Sequence, residues 1–590
     1  MKNQVKYKRS AIITLVSSLF ILVALNIIFS FFYARIDLTA EKRNSLAPST
    51  IKLIKGLSDK IYIKVFLEGR NNPADYQIFA QKTKEILEEL SRHSSNIEFE
   101  MIDPIAGKDQ EEINSIFGEF YKKGLYPIPI SREDYSTTWV VPGAFLTFRG
   151  KEYPVTLVVS DPNGKDWLDF SIQELEYNLV SAIRNITTMF APKVAFLEGH
   201  GELDRMATSW MEWQLNRYYK VERVTINNRI NSLREIYVKD SAEAKIGTFG
   251  NKYDVLIVAQ PTQPFSDMDR YVIDQFIMNG GKVLWLIDMT NASIDSLQHR
   301  NEFFATEMPL RLNSLFFKYG VRLNANLIQD LNCQAIPIPS GMVGNQPQYK
   351  FWAFPYMPVI VNFSTHPITR KMKTLKVDFA GTIDFVGTDP NLRKTVLATT
   401  SEKTKVVPVP TIVTLNVIKN QPNLQEFNRM YEPIAVLVEG KFTSAFKGIL
   451  PIEFDTIKEF DFKTESRETR QIFISDGDII RNRFDIKSMQ PYPAGFDFYS
   501  QRQYDNPDFI LNCVNYLSAD DELLLIRSKS FKLGTLNPIA VKANRNFYIL
   551  LNTIGPLIII SIMATVLILV RKLRYSKRLT DVTENIKEIK

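Results

Sequence analysis

The chain has 590 residues, of which 45% are hydrophobic and 23% charged, with 2 cysteines and 4 histidines. That length exceeds the roughly 250–300 residues one hydrophobic core sustains, and the composition is that of a folding chain, not a disordered one. Two cysteines exclude a disulfide scaffold, a zinc ribbon and an iron–sulfur protein, and the net charge of +7 points away from nucleic acid once its distribution is read.

Lys2, Lys6, Lys8 and Arg9, with no acid among them, give residues 1–10 a charge of +4. Residues 571–590 hold seven basic side chains against Asp581, Glu584 and Glu588, another +4, which leaves −1 for everything between. Each basic tail abuts a run without a charged side chain, Ser10–Ala34 and Asn546–Val570. About 20 apolar residues in a helix cross the hydrocarbon core. The first run is longer than a signal-peptide core and no small-x-small cleavage site follows it, so it reads as an uncleaved anchor. The expected organisation is a cytoplasmic tail (1–10), a transmembrane helix (11–34), an ectodomain, a linker (536–546), a second transmembrane helix (547–570) and a second cytoplasmic tail (571–590). Basic flanks place both termini on the cytoplasmic side. A near-neutral ectodomain offers phosphate backbones nothing, so nucleic acid is excluded as a partner.

The ectodomain alternates apolar strands with amphipathic helices, which predicts an α/β architecture of several parallel-sheet blocks. Ile61–Gly69 reads as a strand ending in a turn. Tyr76–Leu90 is a helix with Ile78, Phe79, Ile86, Leu87 and Leu90 on one face, and Ile97–Ile102 is a strand. With a hairpin-like stretch over Trp139–Ser160 and a helix over Ser171–Ile186, this suggests a membrane-proximal domain (35–190) comparable in layout to thioredoxin. No cysteine precedes Cys333, so redox chemistry is excluded there. A second block (191–391) runs from strand Lys193–Leu197 through strand Val255–Ala259, helix Ser266–Met278, Gly280-Gly281 and strand Val283–Ile287. It resembles the class I glutamine-amidotransferase fold and the related domain of intraflagellar-transport proteins, a likeness of fold that licenses no activity. Pro337–Pro358 reads as a long exposed loop. A third block (392–535) holds strands Ile434–Val438 and Gln471–Ser475 and the helix Asn506–Leu517.

The sharpest chemical candidate is Glu198-Gly199-His200-Gly201-Glu202 with Asp204, directly after a strand. Carboxylates beside a histidine could bind a metal or exchange protons. The competing reading is a glycine-made strand-to-helix turn whose acids cap the helix. Glu-Gly recurs at Glu68-Gly69 and Glu439-Gly440 after apolar runs, which favours a structural strand exit. Cys333 lacks a nucleophile elbow, Cys513 sits on an apolar helix face, and a bond between them is permitted but not indicated. No G-x-S-x-G and no P-loop motif occurs, and Ser475-Asp476-Gly477-Asp478 lacks the downstream ligands of a calcium loop. No catalytic, cofactor-binding or metal-binding residue is assigned, and the expectation is a chain that is not an enzyme.

Asp37-Leu38-Thr39-Ala40-Glu41-Lys42-Arg43-Asn44-Ser45-Leu46 follows the first apolar run directly. With the turn Leu197–Glu202, Gly280-Gly281, His366-Pro367-Ile368, Ile474–Asp478, Tyr504–Leu517 and Arg527-Ser528-Lys529, it resembles the ABC-transporter auxiliary family, in particular gliding-motility-associated members from Bacteroidetes. The resemblance implies a non-catalytic accessory subunit in the bacterial inner membrane with a large periplasmic domain. Its partners would be a multi-spanning permease, a cytoplasmic ATPase reached through that permease, and membrane lipids; self-association stays open. Asn26 and Asn552 are candidate contacts with permease helices, and Asp37–Leu46 is a candidate joint between span and ectodomain. Two other readings stand beside it: a ligand-binding ectodomain for a carbohydrate or other small solute, needing a concave site between the second and third blocks, and a degenerate hydrolase around His200.

Overall fold

A computed structural model describes residues 45–587 except 70–71, 132–136, 159–166, 188–191, 238–247, 300, 344–345, 371, 419–421, 449–461, 485–490, 498–499, 501 and 519–544, together with Val16, Ser17, Phe20, Ile21 and Ala24. Most of the expected first span, Asn26, Arg527–Lys529, and Asp37, Leu38, Thr39, Glu41, Lys42 and Arg43 of the membrane-proximal motif lie outside the described residues. Ser45 and Leu46 of that motif are described, and Leu46 is buried. The chain divides into two units, residues 1–530 and 531–590.

The first unit opens on a four-stranded sheet. β1 (Ile61–Val65), α1 (Ala74–His93), β2 (Ile97–Met101), β3 (Gly143–Phe148) and β4 (Lys151–Thr156) are followed by α2 (Trp167–Thr187). The order is β2-β1-β3-β4, with β1 and β2 parallel and the other pairs antiparallel. Strand periodicity decides which way β1 faces: Ile61, Ile63 and Val65 are buried while Tyr62 and Lys64 turn outward. On α1, Tyr76, Phe79, Thr83, Leu87 and Leu90 recur at three- and four-residue spacing and are buried, while Ile78, expected on that face, is exposed. Trp167 of α2 meets the rings of Tyr76 and Phe79 at 4.4 and 5.8 Å. A further helix, Gln110–Lys123, opens on a capping box of Asp109 and Glu112.

The larger sheet is built from β5 (Lys193–Glu198), α3 (Arg205–Asn216), β6 (Lys220–Thr225), β7 (Val255–Ala259), α4 (Asp267–Met278), β8 (Lys282–Leu286), β9 (Leu392–Thr399), β10 (Pro433–Thr443), β11 (Glu465–Ile474) and α5 (Asn506–Leu517). Its eight strands run in the order Asn362–Phe363, β9, β10, β11, β8, β7, β5, β6. From β11 to β6 all pairings are parallel, and the three remaining strands add antiparallel. All five residues of β7 are buried, as expected of a parallel strand covered on both faces. Tyr271, Phe276 and Ile277 of α4 share one core with Trp285 and Phe473. Met211 and Leu215 of α3 and Phe509 and Val514 of α5 share the core on the other face with Leu284 and Ile472.

This sheet changes two expectations. The boundary placed at 391/392 runs through it, because β9, β10 and β11 complete the sheet that β5 begins. The stretch read as an exposed loop is instead a long antiparallel ribbon of Cys333–Val343 and Gln346–Ile360. Cys333–Val343 is an edge strand, where a proline's missing N–H leaves no ladder bond unmade. Both cysteines are free thiols.

The second unit contains α6 (Arg545–Lys587), with Pro556 in its interior. Thr553–Leu573, 21 residues within it, is long and apolar enough to cross a membrane, and none of it is buried.

The recurrence of Glu-Gly is not a recurrence of strand exits. Gly440 lies inside β10 at φ +132°, and a Cβ there would stand 1.9 Å from the backbone oxygen of Asn391. Gly440→Ala should therefore lower stability by about 2 kcal/mol or more. Gly341→Ala, where a Cβ meets nothing within 4 Å, should stay within about 0.5 kcal/mol. Chemical denaturation of the two variants beside the parent chain measures the difference.

Candidate functional site

In doubly wound sheets, ligands and chemistry collect at the carboxyl ends of the parallel strands. That end carries the segments after β5, β7, β8 and β11, with His200, Gln260, Asp288 and Asp476 on them.

The segment after β5 is a tight turn into α3. Gly201 has φ +71°, and a Cβ on it would strike Thr262 Oγ1 at 2.1 Å. The His200 carbonyl accepts the backbone N–H groups of Thr262 and Gln263 at 2.9 and 2.8 Å, and Leu203 N–H donates to the Ala259 carbonyl, so the turn is laced to the segment after β7. Asp204 caps α3 by accepting the Ala207 N–H at 2.7 Å. Glu198 accepts from Arg223, which also bonds Glu212.

His200 is 5% exposed and stacks on Phe265, ring centroids 3.8 Å apart. Its Nδ1 lies 3.0 Å from Glu202 Oε1 and its Nε2 3.2 Å from Asp269 Oδ2. Burial alone would lower the imidazole pKa, but hydrogen bonding to Asp269 and Glu202 outweighs it and raises the value from 6.5 to about 9. Burial likewise opposes ionisation of Asp269, yet the bonds from His200 and Ser266 lower its pKa. At neutral pH the ring is an imidazolium donating from both nitrogens. Neither nitrogen is left to accept a substrate proton or ligate a metal. The pattern that looked most catalytic is a buried ion-paired clamp.

A second cluster lies after β8 and β11. Asp288 accepts the Gly477 N–H at 2.8 Å and the Gln260 amide at 2.7 Å. Asp476 Oδ2 accepts the Asp378 N–H at 2.9 Å, and Lys376 Nζ stands 3.1 Å from Asp378 Oδ2. Burial, then the neighbouring Asp478 charge, lifts the Asp288 pKa to about 7. Burial followed by the charges of Asp288, Asp378 and Asp478 lifts Asp476 well above its ordinary value. Burial and then Asp378 lift Asp478. These acids border a cleft of about 500 Å³ whose lining includes Asp378, Asp476, Asp478, Met206, Arg481 and Phe496. Asp476 and Asp478, read from sequence as part of a plain turn, line that cleft. Asp288 and Asp378 escaped sequence reading because neither belongs to a motif; the one available signal was an aspartate placed just beyond the apolar strand Lys282–Leu286.

The His200 clamp gives a pH signature. Its folded pKa is raised above the unfolded value, so its stabilisation is complete below pH 6.5 and is lost as pH rises to about 9. That loss should reach about 3 kcal/mol. His200→Gln should flatten the profile in this window when parent and variant are denatured in parallel; an equally steep profile in the variant would show that the histidine is not held as a cation.

Among known families, a model described as "ABC-type uncharacterized transport system" matches residues 191–513, and one described as a domain of unknown function, DUF7088, matches residues 40–147. No curated protein matches the chain. A solved structure titled "mmIFT52 N-terminal domain" aligns over 55% of this chain and 97% of its own at 11% identity, with a TM-score of 0.28. The first family match contains all of β5 to β11, the turn at His200 and the acidic cleft, and it spans more than half of the sequence; the chain belongs to the ABC-transport auxiliary family.

Proposed function

We propose that this chain is a membrane-anchored, non-catalytic accessory subunit of an ABC-type transport complex, of the gliding-motility-associated GldG type. Membership of the auxiliary family carries the reading, since it supports an accessory role beside a permease and an ATPase. The apolar helix segment Thr553–Leu573 supports attachment to a membrane. The basic residues at both ends of the sequence support two spans with cytoplasmic termini and a periplasmic ectodomain. The sequence carries no P-loop, so energy must come from another subunit. The doubly hydrogen-bonded state of His200 speaks against the hydrolase reading.

A second reading is favoured by one observation. A ligand-binding ectodomain requires a concave site where residues 191–391 meet residues 392–535, and the acidic cleft takes Met206 and Asp378 from the former and Asp476 and Phe496 from the latter. The two readings are compatible, because an accessory subunit can present a solute to a permease.

Affinity purification of the tagged chain from solubilised membranes should bring down a multi-spanning permease and its ATPase. Reporter fusions at Lys2 and Lys590 should be active only with cytoplasmic reporters. An externally accessible C-terminus would sink the two-span topology, and a chain that purifies alone under conditions preserving membrane complexes would sink the accessory role.

A further inference from the structure

We propose that the cleft beyond β8 and β11 binds a small organic cation, an amine or guanidine with an apolar body, whose N–H groups donate to Asp378 and Asp476. The proposal rests on the ligand-binding reading above and gives it a chemical class.

The open acceptors come first. Asp476 is 1% exposed; its Oδ2 accepts the Asp378 N–H, while its Oδ1 has no hydrogen-bond partner among the described residues. Asp378 repeats the arrangement, with Oδ2 facing Lys376 Nζ and Oδ1 unpartnered. Buried polar atoms in folded proteins are almost always hydrogen-bonded, so two unpartnered carboxylate oxygens on residues that line one cleft mark where donors belong.

Charge then selects the donor. The lining contains Asp204, Asp295, Asp378, Asp476 and Asp478 against Lys376, Arg481 and Arg483, and Asp288 accepts the N–H of Gly477, the residue between Asp476 and Asp478. Burial and mutual repulsion raise the pKa values of Asp476 and Asp478, and a cation supplies the donors and countercharge that favour their ionised forms, which an anion cannot. An inorganic ion fits less well, since among the described residues no group of three or more His, Cys, Asp or Glu is disposed to hold a metal. Met206, Ile294, Phe484 and Phe496 add apolar and aromatic surface to the lining, suited to the carbon skeleton of such a ligand and to a cation held near a ring.

Protonation supplies an independent readout. Burial and the neighbouring acids raise the Asp476 pKa well above its ordinary value and the Asp288 pKa to about 7. Lys376 beside Asp378 and Arg481 beside Asp478 offset that repulsion only in part. A bound cation favours the ionised carboxylates, so its entry expels protons and binding tightens as pH rises.

The test is calorimetric titration of the full-length chain in detergent with agmatine and with spermidine, and in parallel with sorbitol and with sodium chloride of matched ionic strength. Saturable binding of an amine is expected, with a heat that depends on the buffer's own protonation, tightening from about pH 6 to about pH 8. Asp378→Asn and Asp476→Asn should each weaken it by about tenfold or more. Asparagine mimics a protonated aspartate in shape and charge, so an unchanged melting temperature in either variant establishes that the loss is one of binding. Amine binding that survives both substitutions, or that sodium chloride reproduces, overturns the proposal. Sorbitol binding that the same substitutions weaken, without amine binding, overturns the cationic class but keeps the cleft as a binding site. Absence of binding by all probes removes both.

Discussion

The parallel pairing of β8 with β11 is the contact on which the rest of the larger domain depends. Between Leu286 and Glu465 the chain forms the ribbon and then strands β9 and β10 on the far side of the same sheet, and β11 must come back to lie beside β8. A buried anchor fixes where it returns. Trp285 donates its indole N–H to Gln471 Oε1 at 2.9 Å and stacks over Phe473 with centroids 6.2 Å apart. A one-residue slip would carry Phe473 to the opposite face and break both contacts. Because Leu286 pairs with Ile474, the two chains leave the sheet side by side, and Asp288 meets the Asp476–Asp478 turn. The acidic cleft is thus a consequence of register.

Local pattern was legible in the sequence wherever one element decides its own form. The alternation in Ile61–Val65, the helical spacing of Tyr76–Leu90 and the all-apolar Val255–Ala259 each have a burial preference that holds whatever lies opposite. What the sequence did not disclose is who pairs with whom. Nothing in Pro433–Thr443 or Glu465–Ile474 says that these strands extend a sheet begun at Lys193, so the break at 391/392 looked natural. Pro337 and Pro339 misled for a related reason: proline forbids a central strand but not an edge, and the edge position of Cys333–Val343 is a property of the assembled sheet.

The same limit applied to side-chain chemistry. Glu202 is two residues from His200 and could be weighed from spacing; Asp269, which occupies the other imidazole nitrogen, is 69 positions away on α4. Without that second carboxylate, a histidine between two acids reads equally well as base, ligand or clamp. Its presence turns an imidazole near neutrality into a cation with both nitrogens committed.

The carboxyl end of the sheet therefore divides into two chemical halves. Around β5 and β7, His200 is matched by Glu202 and Asp269, and Arg223 by Glu198 and Glu212. Around β8 and β11, carboxylates crowd together, burial and mutual repulsion raise their pKa values, and two of their oxygens have no hydrogen-bond partner among the described residues. A buried carboxylate without a counterion is among the costlier things a core can hold; Lys376 pairs with Asp378, whereas Asp476 Oδ1 has no hydrogen-bond partner among the described residues. Stability accounts for the first half. The second half makes physical sense when its missing partner is supplied from outside the chain, which is where an accessory subunit of a transport system would meet its solute.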